Sequence, residues 1–320
     1  MFSFDVTQKT KQDVFYHDAH FDAIIVGGGP AGINAALYLI RKGKHVGVIT
    51  REIGGQLHNT SEVDNYLGFK HILGKELSDQ FLTHANHLDI PILQDVSVEN
   101  IEKINQSFKL RVSNGKILHS KSLLYATGGS PRKLEVKGEM TFANKGVSYC
   151  TTCDAPFFKD KHVIVAGGGN SAAEAVIDLV PWASKITVVH RSQWRADAIL
   201  LRKLEDIPNL TIHLETQILE VLGDTSMNGL MVNNKSSNET FTIDAQGLFI
   251  EIGTIPNVSL IKDLVALNER DEVIVNDMQE TSCEGLYAAG DVTNQPFKQI
   301  IIATAEGAKA ALAMNQYLNK

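Results

Sequence analysis

The chain has 320 residues, 43% of them hydrophobic and 21% charged, the balance of a globular protein large enough for two cores. A net charge of −7 excludes a nucleic-acid phosphate backbone as partner, since such binding relies on clustered Lys and Arg. No apolar run approaches the roughly 18–20 residues of a membrane span, and three cysteines cannot build a secreted disulfide framework.

Residues 1–20 mix charges with aromatics and lack an apolar core of signal-peptide length, so they read as an extension that stays attached, on a cytoplasmic chain. Next comes DAIIV at 22–26, an apolar run that feeds Gly27-Gly28-Gly29-Pro30-Ala31-Gly32 and then a helical pattern, INAALYLIRKG. Strand, glycine turn and helix in that order form a dinucleotide-binding start. The first glycine permits the tight turn, the second lets backbone approach a pyrophosphate, and the third lets helix and strand pack closely. The helix N-terminus then turns its positive dipole end to the phosphates. The acid nearest the expected ribose contact is Glu52, beside Arg51, and not residue Thr50.

Further along stand Cys150-Thr151-Thr152-Cys153 and Asp154. A CxxC pair can be a zinc half-site, a redox disulfide or inert. Zinc would need two more ligands, yet the remaining cysteine, Cys283, brings no second CxxC or finger-spaced His pair, so no metal site is expected. An acid directly after the pair could shuttle a proton to or from a thiolate as the disulfide opens, which favours the redox reading. Cys283 reads as a small buried residue.

The glycine unit then recurs. HVIVA at 162–166 feeds Gly167-Gly168-Gly169-Asn170-Ser171-Ala172, a helical run, AEAVIDLV, and a strand, KITVVH. Thr50 and His190 each close the following strand 23 residues after the first glycine, 50 − 27 and 190 − 167. One such motif is weak evidence; two at matched spacing point to a held flavin and an exchangeable nicotinamide. After the second strand the chain reads His190-Arg191-Ser192-Gln193-Trp194-Arg195, with no acid between Lys185 and Arg195. Arginine at that place accommodates a 2′-phosphate, so NADPH is the expected donor.

On these residues the chain resembles low-molecular-weight thioredoxin reductase, a class II pyridine nucleotide-disulfide oxidoreductase, over residues 21 to 320. The likeness rests on GGGPAG, GGQL at 54–57, ATG at 126–128, CTTCD, GGGNSA, HRSQWRA, GTIPN at 253–257 and AAGD at 288–291. The runs LRKLEDIPNLTIHLETQILEVLGD and PFKQIIIATAEGAKAA are similar to the flavoprotein subunit of alkyl hydroperoxide reductase, which normally carries an additional N-terminal thioredoxin-like module; 20 residues before Phe21 are too few to supply one.

The resemblance implies an α/β fold of two Rossmann-like domains in three ββα layers, an NADPH domain at 132–253 inserted in a discontinuous FAD domain at 1–131 and 254–320. It implies that Gly27, Gly29, Pro30, Ala31, Gly32, Glu52, Gly55, Gln56, Asn65, Ala126, Thr127, Gly128, Gly290, Asp291, Gln299 and Ile300 bind FAD. Gly167, Gly169, Asn170, Ser171, Ala172, His190, Arg191, Arg195 and Gly253 would bind NADPH, and Ser192 departs from the family's HRR triplet. Cys150, Cys153 and Asp154 would be catalytic, the partner a thioredoxin or glutaredoxin-like protein, and the assembly a homodimer. Gly128–Pro131 and Gly253–Pro256 would be crossover strands acting as hinges. Rival readings keep the flavin and cysteines but take electrons from NADH or ferredoxin, pass them to oxygen as a dithiol oxidase, or serve only as a redox sensor.

Overall fold

In the run Ala23-Ile24-Ile25-Val26 every side chain is buried, Ala23 and Ile25 in one hydrophobic cluster and Ile24 and Val26 in another. Burial of both faces is what a central parallel strand requires. The computed structural model describes residues 14–60 and 62–320, apart from the side chain of Asn59, so the first 13 residues of the expected extension lie outside the described residues. The first strand starts at Ala19, ahead of the DAIIV run, and Phe15 is fully buried in the core it helps to build. Phe15 and Ala19, both within the expected 1–20 extension, therefore belong to the core.

In chain order the elements that place the site are β1 (Ala19–Gly28), α1 (Pro30–Arg41), β2 (Val46–Ile53), α2 (Gly74–His87), β3 (Ile117–Tyr125), β4 (Gly129–Pro131), α3 (Thr151–Asp154), β5 (His162–Ala166), α4 (Asn170–Leu179), β6 (Lys185–Val189), α5 (Ala198–Glu205), β7 (Gly247–Ile250), β8 (Thr254–Pro256), β9 (Leu286–Ala288) and α6 (Ile300–Leu318). The chain divides into two units, residues 1–61, 66–130 and 256–320 in one, and 62–65 with 131–255 in the other. The chain passes from one unit to the other at β4 and returns at β8.

The first unit is a 7-stranded sheet in which β2, β1 and β3 run parallel and β9 adds to β3. An antiparallel meander of Val98–Ile104 and Ser107–Val112 extends it beyond β3. Helices α1 and α6 lie together on one face, and a Cβ on Gly307 would overlap the Ala31 carbonyl, so α6 crosses α1 where glycine allows contact of backbones. Asn34 Nδ2 donates to the Thr304 carbonyl at 2.7 Å across the same crossing. Cys283 is partly buried against the opposite core.

In the second unit a parallel sheet runs in the order Val147–Ser148, β7, β5, β6, Leu210–His213. Val163 and Val165 of β5 face helices α4 and α5, whereas Ile164 and Ala166 face a three-stranded antiparallel sheet over 216–244. Helix, parallel sheet and antiparallel sheet give the three ββα layers. Among the described residues no helix is long and apolar enough to cross a membrane.

Candidate functional site

The two glycine loops obey the same sterics. Gly27 has φ +118° and a Cβ there would overlap the Ala126 carbonyl; Gly167 has φ +157° and a Cβ there would overlap the Glu251 carbonyl. Gly32 has no room for a side chain, because its Cβ would meet the Gly27 carbonyl oxygen, and at the matching place in the second loop Ala172 is fully buried. The middle glycines differ from these. At Gly29 and at Gly169 nothing lies within 4 Å of an added Cβ. Both are N-caps in extended backbone, and neither makes a side-chain capping bond to the helix it opens. An open middle glycine before an uncapped helix is the cradle that a pyrophosphate needs.

Around the first loop the structure gathers most of the expected FAD residues. Gly55 lies 3.7 Å from the Gly29 Cα, measured from its Cβ position, and Gly128 lies 3.9 Å from Gln56 Nε2 in the same sense. Gln56 Nε2 donates to Asp291 Oδ2 at 2.9 Å. Burial raises the Asp291 carboxyl above the usual range, against the lowering effect of Lys298 and Gln56. Gly290, just before it, packs on Ala31 and Ala303 and donates its N–H to buried Glu306 at 2.7 Å. Gln299 caps α6, whose first turn holds Ile300. Glu52 is exposed and pairs with His58 at 3.4 Å. Asn65 is exposed and belongs to the 62–65 segment of the second unit, whereas Gly55 and Gln56 belong to the first.

The 126–128 turn owes its shape to a residue that sequence reasoning missed. Asn257 Nδ2 donates to the Thr127 carbonyl, the Asn257 N–H donates to the Gly128 carbonyl, and Thr127 Oγ1 donates to the Asn257 carbonyl. Its only signal was its place in GTIPN, 130 positions from Thr127.

Around the second loop, the segment after β6 is tied to the glycines. The Arg195 N–H donates to the Gly168 carbonyl at 2.7 Å, and Asn170 and Asp197 exchange two hydrogen bonds at 2.8 and 2.9 Å. The His190 ring sits where a Gly168 Cβ would be. Burial and the nearby Arg195 and Arg191 hold its imidazole below the ordinary histidine range, so it is neutral near pH 7, with Ser192 Oγ 3.0 Å from Nε2. Arg191 and Arg195 are exposed. The Glu215 N–H donates to the Ser192 carbonyl at 3.4 Å, and its carboxylate accepts from Gln193 at 3.1 Å and from Ser236. Ser171 is exposed at the start of α4, and Gly253 has φ +96° with Arg132 within 3.8 Å of its Cβ position.

The same unit carries the cysteine pair. Cys150 and Cys153 form a disulfide, with Cα atoms 5.3 Å apart, across the start of α3. Ser148 Oγ accepts from the Cys150 N–H at 3.1 Å and donates to Asp154 Oδ2 at 2.6 Å, so the acid is anchored beside the pair. Burial, together with the charge of Glu62, raises the Asp154 carboxyl, while the Ser148 bond lowers it. Burial thus favours the protonated carboxyl, the form that can give a proton to a thiolate. Among the described residues no group of three or more His, Cys, Asp or Glu could hold a metal.

The sequence pattern described as pyridine nucleotide-disulphide oxidoreductase matches residues 21–307. Over 305 residues the chain is 38% identical to the F subunit of alkyl hydroperoxide reductase of Staphylococcus aureus (strain MRSA252), a match to 95% of this chain and 60% of that one. For the corresponding protein of Staphylococcus epidermidis (strain ATCC 12228 / FDA PCI 1200) the identity is 39% over 299 residues, covering 93% and 59%. The chain thus spans about 60% of the length of the curated relatives it matches. Among solved structures, thioredoxin reductase from Streptococcus pyogenes MGAS5005 superposes with a TM-score of 0.89 at 32% identity, covering 94% of this chain and 99% of that chain. A ferredoxin-flavin thioredoxin reductase from Clostridium acetobutylicum gives 0.52 at 29% identity, covering 95% and 100%.

Proposed function

The chain belongs to the pyridine nucleotide-disulphide oxidoreductase family, and on that premise we propose that it is an NADPH-dependent flavoprotein that reduces the disulfide of a thioredoxin-like protein. One observation carries the reading: the Cys150–Cys153 disulfide lies in the same unit as an open dinucleotide cradle, Gly167–Ala172, while the other unit holds a second cradle. Residues 1–131 and 254–320 form the FAD domain in this reading, and 132–253 the NADPH domain. Bound FAD would supply the two-electron relay between nucleotide and disulfide.

The chain's own residues bind, orient and move protons. Gly27–Gly32 and the N-terminus of α1 would receive the pyrophosphate of FAD, Asp291 with Gln56 would hold its ribityl chain, and Gln299 and Ile300 would offer N–H groups to the flavin ring. Arg191 and Arg195 bind the 2′-phosphate of NADPH over the Gly167–Ala172 loop. In the dithiol form the Cys150 thiolate attacks the partner's disulfide; a mixed disulfide forms and one partner thiolate leaves. Cys153 then returns its proton to the Asp154 carboxylate and, as a thiolate, attacks the Cys150 sulfur, expelling the second partner thiolate and closing the Cys150–Cys153 bond. When the pair is next reduced, Asp154 donates a proton to the Cys153 thiolate. The working unit is a homodimer. Replacement of Cys150 by Ser is expected to abolish disulfide turnover while NADPH still bleaches the flavin; disulfide turnover by Cys150→Ser would refute the assignment.

NADH as donor is a second reading, favoured by Ser192 in place of an arginine and by the Glu215 carboxylate beside Gln193. Comparison of bleaching rates with NADPH and NADH separates the two.

A further inference from the structure

Glu251 occupies in the second unit the position that Ala126 occupies in the first. Each follows a strand paired in parallel with the strand that feeds a glycine loop, and each presents its carbonyl oxygen where a Cβ on the first glycine would lie. Alanine adds nothing beyond that backbone contact. Glu251 adds a carboxyl group directed to the redox turn: its Oε1 accepts from Thr151 Oγ1 at 2.7 Å and from the Thr151 N–H at 3.4 Å. Thr151 is buried and is the first residue of α3, next to Cys150. One residue therefore braces the nucleotide loop with its backbone and the disulfide turn with its side chain. Ser148 and Asp154 hold the same turn at its other end.

The charged groups acting on Glu251 are Asp178 and Glu174 of α4, four residues apart and so on one helix face. Burial first, then these two acids, push its carboxyl up to about 7 against the lowering effect of the Thr151 bonds. Among the described residues no cation acts on it to offset the charge once the proton is lost.

Resting on the functional reading above, we propose that Glu251 is a positioning residue of the redox pair: through Thr151 it holds the first turn of α3, and by its charge it opposes the thiolate that reduction creates there. No bond to Glu251 forms or breaks. Reduction places two electrons in the S–S bond and leaves a thiol and a thiolate. A neutral Glu251 tolerates that thiolate, and an ionised one disfavours it.

The test uses the flavin-loaded enzyme equilibrated anaerobically with oxidised and reduced dithiothreitol at pH 6 and pH 8, with the cysteine state read by alkylation and mass. In Glu251→Gln, which keeps an acceptor for both Thr151 donors but carries no charge, the reduction equilibrium is expected to match wild type at pH 6 and to exceed it about fivefold at pH 8. Glu251→Leu and Thr151→Val, which break the brace, are expected to slow turnover of oxidised thioredoxin about tenfold at both pH values, with Glu251→Gln restoring the pH 6 rate. Equal equilibria for wild type and Glu251→Gln at pH 8, or brace-breaking variants that turn over as fast as Glu251→Gln, would overturn the proposal. Should Glu251→Leu fail to fold, Thr151→Val carries that arm alone. If NADPH and NADH both fail to bleach wild-type flavin, it is the functional reading that falls, and the dithiothreitol equilibria still decide the role of Glu251.

Discussion

Substituting Gly29 or Gly169 by Ala separates the role of the middle glycine from that of its neighbours. Gly29 has φ −75° and ψ −177°, and Gly169 has φ −101° and ψ −172°, extended backbone that alanine adopts freely. With nothing within 4 Å of the added methyl, the fold should tolerate either change. At a helix N-cap, exchange of Gly for Ala costs roughly 1 kcal/mol or less, about 2–4 °C in Tm for units of this size. In the proposed reading the methyl would occupy the space through which a pyrophosphate reaches the helix N-terminus. Loss of one or two charge-assisted hydrogen bonds at roughly 1.5–3 kcal/mol each comes to about 3 kcal/mol, on the order of 100-fold in affinity. Fluorescence titration of apoprotein with FAD should show that loss for Gly29→Ala only, and NADPH titration for Gly169→Ala only, while melting of the apoproteins barely moves. By contrast, Gly32→Ala drives its methyl into the Gly27 carbonyl and should lower the melting temperature directly. FAD binding by Gly29→Ala within threefold of wild type would refute the cradle.

Asp154→Asn should slow thioredoxin turnover about 100-fold, the usual scale of a lost general acid. Because burial raises the Asp154 carboxyl, the wild-type rate should fall as pH rises through its pKa, and a stopped-flow pH profile of the variant should lack that limb. Ser192→Arg should raise the preference for NADPH over NADH about tenfold in kcat/KM, by restoring a guanidinium beside Arg191. Glu251 bears on stability as well. Its carboxyl titrates at about 7 in the fold and at roughly 4.3 unfolded, so the folded state favours the proton. That contribution is complete below the unfolded value and is lost as pH rises through about 7. With an allowance for its partial exposure it amounts to about 2 kcal/mol, so wild-type Tm should fall between pH 5 and 8 by several degrees more than that of Glu251→Gln.

Much of this site was legible because steric demands are written in residue type. Gly27, Gly32 and Gly167 admit no side chain, and a glycine in each of those places, followed by a helical run, states the geometry outright. The ends of strands were less legible. The 23-residue spacing to Thr50 and His190 holds in sequence, yet β6 stops at Val189 while β2 continues to Ile53, since a register shift lets Gly28 pair with Ile53. Nor did the sequence reveal that Phe15 fills the first core, because the polar Asp18 and His20 around Ala19 hide the strand's period. Asn257, Asp197 and Glu251 act through partners 130, 27 and 100 positions away, and only the fold brings them together. In IEIG, Glu251 reads as an ordinary strand end.

The most direct test of the account is the number of reducing equivalents the enzyme takes up. Anaerobic titration with NADPH should consume two equivalents per chain in wild type, one for the flavin and one for the Cys150–Cys153 disulfide, and one in Cys153→Ser. The thiols generated in wild type should then reduce oxidised thioredoxin without further nucleotide. Uptake of a single equivalent by wild type, or two equivalents whose thiols cannot pass to thioredoxin, would contradict the account.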